Sequence, residues 1–600
     1  MENYIFHPII STFTSILLLL GCHELGDNII KKLKIKNIIT KISILEYQYI
    51  TTGIIFLLII IFPLVTFLNN ATIILQLISL FLIFCSVSFF FKFKYIKKNL
   101  FIPKKKNIYL YLFVLLIFLY FLLGLSPLTS ADVLDYHAGV ALNVLRFDKY
   151  IIMPEWFTSL QSGTGETLNA LGFSVGAEQF GSLVQFTSIL TISGVILKFA
   201  KKNKDRYLKY FLILTILSCP ILIFLLSGNK PQIFYSGLIL VAFSFNFAKF
   251  KRESDIIKAY LIINILICLA VTGKFSFNLS GFLVWTYSTI NFLSKKNFYK
   301  LLPIPLIVFI FLYFPFLFWK ISNLGGDLLT YLFSPFPLHL PGYETFLNHN
   351  KGSQEIPFPY FLIYTTPSRF TEFLAANSIL LLVLVFFIKT NRKILSTVVI
   401  SVIFILVSNL YASPSARYYL DILLWITLAL STIYNLKLHL IIKYFFYPQI
   451  LIIFFVLIYS NFIFLPGAFS EKKYLSIKHN YAYLYSGFNW LNNNLSDETK
   501  VVILNRPISQ YKSFSISGNF NYFTNENEAI YYKKLISKYD PEFVVFFGNK
   551  PDFKHLNNCI KNIYLQKKNI GFHATRNPFN KGSYYNGYIA TIDKNKFPDC

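Results

Sequence analysis

Apolar runs long enough to cross a lipid bilayer recur along most of this chain, and they limit its possible folds more than any other feature. A helix of about 20 apolar residues spans the hydrocarbon core of a bilayer. The 600 residues are 55% hydrophobic and only 14% charged, a balance typical of membrane proteins. We count fourteen candidate spans, near residues 5–22, 48–68, 71–91, 108–126, 172–197, 208–227, 231–248, 256–273, 275–293, 301–320, 370–388, 394–411, 417–435 and 444–465. The pattern predicts a polytopic all-α membrane domain over residues 1–465.

The distribution of basic residues predicts how this domain is oriented. The net charge of +28 would suit a nucleic-acid partner, but 30 of the 56 Lys and Arg residues lie in seven alternate short loops between spans. Another 18 lie beyond residue 466, and only 8 occupy every other loop and span. Basic loops stay on the cytoplasmic side of a membrane. We therefore expect a multi-pass protein in a lipid bilayer, with both termini extracytoplasmic and no nucleic-acid partner.

The composition changes near residue 466, where long apolar runs end and Asn, Lys and Tyr become frequent. Residues 500–504 and 542–547 have the pattern of buried strands, and residues 482–494 and 526–538 that of helices. Strands that alternate with helices predict a small extracytoplasmic α/β domain over residues 466–600. No catalytic constellation is apparent in this domain.

The cysteines divide between the two parts of the chain. Cys559 and Cys600 lie in the polar tail and would form a disulfide if the tail faces an oxidising compartment. The other four have no spacing typical of a zinc site and lie in or beside apolar spans, where we expect them to be inert: Cys22, Cys85, Cys219 and Cys268.

Two long outer loops, 127–171 and 321–369, are candidates for function because loops of this length in compact proteins are usually functional or disordered. The first contains acidic residues directly after an apolar span, and charges beside a membrane are costly. Residues 132–145 are predicted to form an amphipathic helix, with Asp132, Asp135 and Tyr136 on one face. Its apolar residues would rest on the bilayer surface or on neighbouring helices. A partly desolvated carboxylate at this boundary can act as a general base.

Four short motifs, in order, resemble those of bacterial membrane proteins in the GT-C glycosyltransferase superfamily. The first is Asp132-x-Leu134-x-Tyr136-His137, followed by a Gly-Glu-x-Leu segment at residues 165–168. The third, at 272–275, is similar to a Gly-Thr-Lys-Tyr turn, and the fourth, at 417–420, to an Arg-Tyr-Leu helix start. The resemblance covers about residues 110–430 and implies a GT-C-like fold.

The resemblance also implies a reaction. The donor would be a polyprenyl-phosphate-linked sugar, and a glycan or protein acceptor would meet it on the extracytoplasmic face of a bacterial inner (plasma) membrane. Asp132 matches the residue expected to be the base or a metal contact. Asp135 departs from the pattern, because a neutral residue is more usual there, and either aspartate could be the base. A divalent metal ion is possible, with Asp132 and Glu166 as its ligands, and no other cofactor is implied.

Further residues are candidates for substrate binding. Lys230, Lys274 and Arg417 lie at outer span ends, where cations could stabilise a leaving lipid phosphate, although basic side chains also snorkel to an interface. Glu166 could position the acceptor or a metal. Tyr136 and His137 are the remaining candidates for substrate binding. His137 could act in catalysis or could form a hydrogen bond that orients the loop. Two aromatic residues, Tyr150 and Trp156, could stack on sugars or anchor the chain at the interface.

Two other functions fit the same pattern. A surface-polysaccharide polymerase or ligase would also carry arginine and acidic loops on the outer face. A non-enzymatic lipid-sugar transporter or flippase would show broken helices with ionisable residues at mid-span. The ionisable residues here lie at outer span ends, which favours chemistry at the membrane surface.

Overall fold

The computed structural model describes residues 4–96, 108–201, 208–293, 298–337, 340–343, 345, 392–411, 416–433, 440–506, 508–518, 526–572 and 582–600. The expected span near 370–388, and most of the expected outer loop 321–369, lie outside these residues.

The first two-thirds of the described chain is helical. The helices are α1 (Pro8–Lys32), α2 (Lys36–Ile42), α3 (Tyr49–Phe67), α4 (Ala71–Ile96), α5 (Ile108–Gly124), α6 (Ala138–Arg146), α7 (Gly165–Phe173), α8 (Phe180–Ala200), α9 (Leu208–Leu217), α10 (Pro220–Leu226), α11 (Ile233–Ser244), α12 (Glu253–Gly273), α13 (Asn278–Leu293), α14 (Phe298–Leu301), α15 (Pro303–Val308), α16 (Phe314–Leu324), α17 (Leu328–Phe333), α18 (Arg392–Tyr411), α19 (Leu420–Ser431) and α20 (Leu440–Phe464).

The expected count of fourteen membrane spans is not confirmed. Within the described ranges, seven helical segments are long and apolar enough to cross a membrane, or eight if the bent pair α9 and α10 forms one span. That pair bends by 60° where Pro220 begins the second helix, since proline is favoured at the start of a helix but disrupts its interior. Other apolar runs form shorter helices, such as α5 and α11. An apolar run therefore marks membrane-embedded chain without ensuring one unbroken span.

Small residues let the first helices pack closely. A Cβ at Gly21 of α1 would collide with the backbone of Leu82 in α4, and a Cβ at Gly53 of α3 would collide with the carbonyl of Cys22. Between membrane helices, glycine allows backbones to approach each other in this way. The three helices therefore form a tight group beside the first outer loop.

The first outer loop is folded and largely buried. The helix expected over residues 132–145 is present, but Val133–His137 forms one wide π-helical turn before α6. Its apolar residues do not lie on the bilayer surface, because Val133, Leu134 and Val140 are buried in the protein core. Wide turns of this kind are frequent at functional sites because they redirect side chains.

The described part of the tail contains three α-helices and one sheet. The helices are α21 (Glu471–Tyr481), α22 (Tyr485–Asn494) and α23 (Glu526–Ser537), and the strands are β1 (Val501–Ile503), β2 (Ser515–Ser517), β3 (Phe543–Gly548), β4 (Ile560–Phe572) and β5 (Tyr584–Ile592). The sheet order is β2-β1-β3-β5-β4, with β1 parallel to β2 and β3, and with β5 antiparallel to β3 and β4. The two strands and two helices predicted in the tail are confirmed. The remaining strands and α21 were not predicted.

The two faces of this sheet enter different hydrophobic cores. Side chains alternate along a strand, so Val501 and Ile503 of β1 join the large core that also contains the membrane helices. Val502 faces the other way and packs with Ile516 and Tyr532 in a smaller core within the tail. The sheet is therefore packed against the membrane part and is not a detached domain.

Cys559 and Cys600 form a disulfide with a Cα–Cα distance of 5.3 Å, as the sequence predicts for a tail in an oxidising compartment. The four cysteines of the membrane part are not disulfide-bonded.

Candidate active site

The two aspartates of the first outer loop lie on either side of one arginine from the tail. Arg506 Nε lies 2.5 Å from Asp135 Oδ2, and Arg506 Nη2 lies 3.1 Å from Asp132 Oδ1. The Tyr136 ring centre is 5.9 Å from the guanidinium carbon. Asp132, Asp135 and Tyr136 thus face the same side, in agreement with their helical spacing.

Asp135 is fully enclosed by donors. Its residue is 1% exposed, and its carboxylate accepts hydrogen bonds from Trp156 Nε1 at 3.2 Å and Thr158 Oγ1 at 3.0 Å, in addition to the contact with Arg506. A buried carboxylate that is surrounded by hydrogen-bond donors is fixed in place. Asp135 is therefore suited to hold other groups rather than to meet a substrate.

Asp132 is more accessible. Its side chain is 19% exposed, and its Oδ2 lies 2.6 Å from Lys230 Nζ. Lys230 is 1% exposed, and its ammonium group lies 4.0 Å from the ring centre of Phe224. The preceding residue, Asn229, is held by hydrogen bonds with Ser182 and Asn169. The lysine is thus fixed from within the protein, whereas the Asp132 side chain is partly exposed.

His137 and Glu166 form a second, fully buried pair. Nδ1 of the imidazole and Oε1 of the carboxyl group are 2.7 Å apart, and Glu166 Oε2 accepts a hydrogen bond from the Gly163 amide at 2.9 Å. His137 Nε2 has no hydrogen-bond partner among the described residues. Burial lowers the pKa of His137 well below its usual range, and the charges of Lys274 and Lys230 act in the same direction. Burial also raises the pKa of Glu166 to about 7.

The second and third sequence motifs meet at the C-terminal end of α12. The Thr164 amide donates to the Thr272 carbonyl at 3.0 Å, and a Cβ at Gly163 would collide with the same carbonyl oxygen. Glycine is needed here because two backbones come into contact. This junction places Lys274 near Glu166 and Asp132, whose charges act on it.

The fourth motif contributes a further positive charge. Arg417 lies in the short turn Ala416–Tyr419 before α19, and its charge acts on Lys274 and Tyr136. Burial, followed by the repulsion from Arg417, lowers the pKa of Lys274 to about 7. The site thus gathers four cations around Asp132, namely Lys230, Lys274, Arg417 and Arg506.

Arg506 was not among the site residues predicted from the sequence. It follows β1, the central strand of the parallel group β2-β1-β3. Ligands of α/β sheets bind at the carboxyl ends of parallel strands, so a charged residue directly after the predicted strand at 500–504 was a usable signal.

Two expectations need correction. Trp156 and Tyr150 do not present their rings to a sugar, because both are buried and each donates a hydrogen bond inside the protein, to Asp135 and to the Gly163 carbonyl respectively. The donor set for a divalent metal also does not fit. Asp132 contacts two cations and Glu166 contacts His137, and the described part of the chain contains no group of three His, Cys, Asp or Glu residues that could hold a metal ion.

Comparison with solved structures defines the class of fold. ArnT from Cupriavidus metallidurans bound to undecaprenyl phosphate matches with a TM-score of 0.51 at 10% identity, over 80% of this chain and 97% of that one. The apo state of ArnT matches with a TM-score of 0.47 at 11% identity and the same coverage. The Archaeoglobus fulgidus oligosaccharyltransferase matches with a TM-score of 0.38 at 14% identity, over 74% of this chain and 69% of that one. The match to lipid-bound ArnT, together with the apolar helices, shows an integral multi-pass membrane protein with a GT-C-like fold.

The sequence also matches the model of one protein family. The family model described as the DUF1420 N-terminal domain matches residues 84–475, and the chain belongs to the DUF1420 family. This match includes every site residue named above except Arg506. No curated protein matches the chain in sequence.

Proposed function

We propose that this protein transfers a sugar from a polyprenyl-phosphate donor to an acceptor on the extracytoplasmic face, with Asp132 as the general base. The observation that carries this proposal is the position of Asp132, a partly exposed carboxylate among four cations. A reaction that expels a lipid phosphate needs such cations, because negative charge develops on the leaving oxygen.

The proposed chemistry follows from this arrangement. The acceptor hydroxyl gives its proton to Asp132 as its oxygen forms a bond to the anomeric carbon of the sugar. The bond between that carbon and the phosphate oxygen breaks on the opposite side, and the electron pair leaves with the phosphate. The configuration at the anomeric carbon is thereby inverted. Lys230, Lys274 and Arg417 would stabilise the departing phosphate.

Asp135 is less suited to the role of base. It is 1% exposed and already accepts from Trp156, Thr158 and Arg506. A base must come within hydrogen-bond distance of the proton that it removes. We therefore assign Asp132 as the base and Asp135 as a positioning residue.

The membrane helices offer little support for a transporter. In the bent pair α9 and α10, the break contains Ser218 and Cys219, whereas transporters place ionisable groups or substrate sites at such breaks. The cations and carboxylates gather instead at one end of the helices, beside the tail.

The extracytoplasmic orientation is part of the proposal. It is supported by the basic residues of the alternate loops and by the disulfide between Cys559 and Cys600, since disulfides persist in oxidising compartments.

The test is sugar transfer by the full chain in membrane vesicles, with a panel of radiolabelled undecaprenyl-phosphate hexoses and pentoses and with an envelope fraction as acceptor. Asp132→Asn should lower the rate about 100- to 10,000-fold, the usual contribution of a general base. The matched control is Asp148→Asn, an acidic residue of the same loop that accepts from the Thr72 amide, and it should transfer at close to the wild-type rate. Full activity in Asp132→Asn would refute the base, and no transfer from any donor by the wild type would refute the function.

A further inference from the structure

Arg506 reaches the candidate site from outside the matched family region, and its loop is held on both sides. The Asn505 side chain exchanges two hydrogen bonds with the backbone of Phe547 in β3, at 2.6 and 2.8 Å. On the other side, Ser509 Oγ donates to the Leu134 carbonyl, and Arg146 donates to the Tyr511 carbonyl at 2.7 Å. The backbone near Arg506 is therefore fixed, and the freedom that remains belongs to its side chain.

The two carboxylates that the guanidinium group contacts differ in exposure. Its Nε meets Asp135, which is buried and holds two further donors. Its Nη2 meets the partly exposed Asp132, and the arginine side chain is 33% exposed. The Nε end thus contacts a buried carboxylate, while the Nη2 end contacts a partly exposed one.

The two cations that contact Asp132 also differ in exposure. Lys230 is buried and packed over Phe224, whereas Arg506 is the more exposed partner. A carboxylate held by two cations is a weak base, because nearby positive charge favours its ionised form. An incoming anion that drew one cation away would therefore make Asp132 a better base, and Arg506 is the more exposed of the two cations.

We propose that Arg506 is a ligand of the donor's lipid phosphate: its Nε stays on Asp135 while its Nη groups exchange Asp132 for phosphate oxygens. The proposal rests on the proposed function and deepens it. Arginine suits this exchange because its planar guanidinium group binds phosphate through two parallel hydrogen bonds and remains charged. The tail thereby completes the site, and binding of the anionic donor increases the basicity of Asp132.

The test measures binding of undecaprenyl phosphate to the full chain in nanodiscs of zwitterionic lipid. Arg506→Gln should weaken binding about 10- to 100-fold, as expected for the loss of charge-assisted hydrogen bonds, and Arg506→Lys should recover part of the loss. The control is Lys512→Gln, which removes another positive charge from the tail. Lys512 pairs with Asp497, away from both aspartates, and this variant should bind as the wild type does. Equal affinity in Arg506→Gln and Lys512→Gln would overturn the proposal.

Two further variants keep the test decisive. If Arg506→Gln does not fold because Asp135 is left buried without a cation, the double variant Asp135→Asn/Arg506→Gln removes both charges and should still bind weakly. Asp132→Asn should bind undecaprenyl phosphate at least as tightly as the wild type, because it removes the anion that competes for Arg506. Weaker binding by Asp132→Asn, or wild-type affinity in the double variant, would contradict the exchange.

Competing ligands identify what Arg506 recognises. Unlabelled undecaprenyl phosphate should displace the labelled lipid, whereas undecaprenol and millimolar inorganic phosphate should not. Displacement by undecaprenol would overturn a phosphate contact, and displacement by inorganic phosphate would assign the site to free phosphate instead of a lipid headgroup. If Arg506→Gln binds normally while Asp132→Asn still abolishes transfer, only this inference fails. If the wild type binds no undecaprenyl phosphate, the proposed function fails with it.

Discussion

A buried ion pair joins the tail to the outer loop that carries Asp132, and its removal provides a quantitative test of how the two parts are connected. Lys478 Nζ of α21 lies 2.8 Å from Glu178 Oε1, with side-chain exposures of 2% and 0%. The same lysine donates to the Leu128 carbonyl at 2.7 Å, and Glu178 accepts from the Leu128 amide at 3.2 Å. The pair therefore fixes the backbone four residues before Asp132.

Lys478→Met should destabilise this junction strongly, because it leaves the Glu178 carboxylate buried without a cation. Removal of one partner of a buried pair costs about 3–5 kcal/mol, equivalent to an increase of about 140- to 3,700-fold in the open population, at tenfold for each 1.4 kcal/mol. The double variant Lys478→Met/Glu178→Gln leaves no buried charge, and we expect it to lose only about 1–3 kcal/mol, the cost of imperfectly paired polar groups. The second change should thus partly rescue the first.

Hydrogen exchange of the backbone amides in α21, measured on the full chain in detergent, reports this opening directly. Lys472→Met is the matched control, because Lys472 lies on the same helix and is exposed, and it should change the free energy of opening by no more than about 0.5 kcal/mol. The reasoning is refuted if Lys478→Met exchanges no faster than Lys472→Met, or if the double variant is as unstable as Lys478→Met alone.

Two further outcomes are expected. Because burial lowers the pKa of Lys274 to about 7, this residue loses its charge above that pH; undecaprenyl phosphate should bind up to about tenfold more weakly per pH unit above 7. Lys274→Arg should bind independently of pH, and an unchanged slope in that variant would contradict the assignment. If the tail is extracytoplasmic, a membrane-impermeant reductant followed by an impermeant maleimide should label Cys559 and Cys600 in intact cells but not a Cys559→Ser/Cys600→Ser variant. Labelling that requires cell lysis would reverse the orientation.

Much of the fold could be predicted from local sequence patterns. Helical spacing brought Asp132, Asp135 and Tyr136 to one side, and alternation of apolar residues identified β1 and β3 in the tail. These predictions succeeded because each depends on residues close together in sequence. The number of spans was harder to predict, because the hydropathy of a sequence does not show where a helix breaks, as it does between α9 and α10.

The long-range partners of two basic residues could not be predicted from local sequence patterns. Arg506 lies 371 residues from Asp135, and Lys478 lies 300 residues from Glu178. Neither basic residue belongs to a recognisable motif, and each acquires its role only when the tail packs against the membrane helices. The interpretation of Trp156 as a residue that could stack on a sugar was wrong for the same reason. The sequence of an outer loop does not show that the Trp156 Nε1 donates to Asp135.

The contact between Asp135 and Arg506 explains why each of these charged residues is stable in its position. Asp135 departs from the GT-C-like pattern, in which a neutral residue is more usual, and a buried carboxylate without a cation would destabilise the loop. Arg506 supplies that cation, and burial, which by itself disfavours its charge, is outweighed by Asp135 and Asp132, so that its pKa is raised. The cation that stabilises Asp135 also contacts Asp132, the proposed base. One guanidinium group therefore contributes to the stability of the outer loop, to its contact with the tail and to the charge around Asp132.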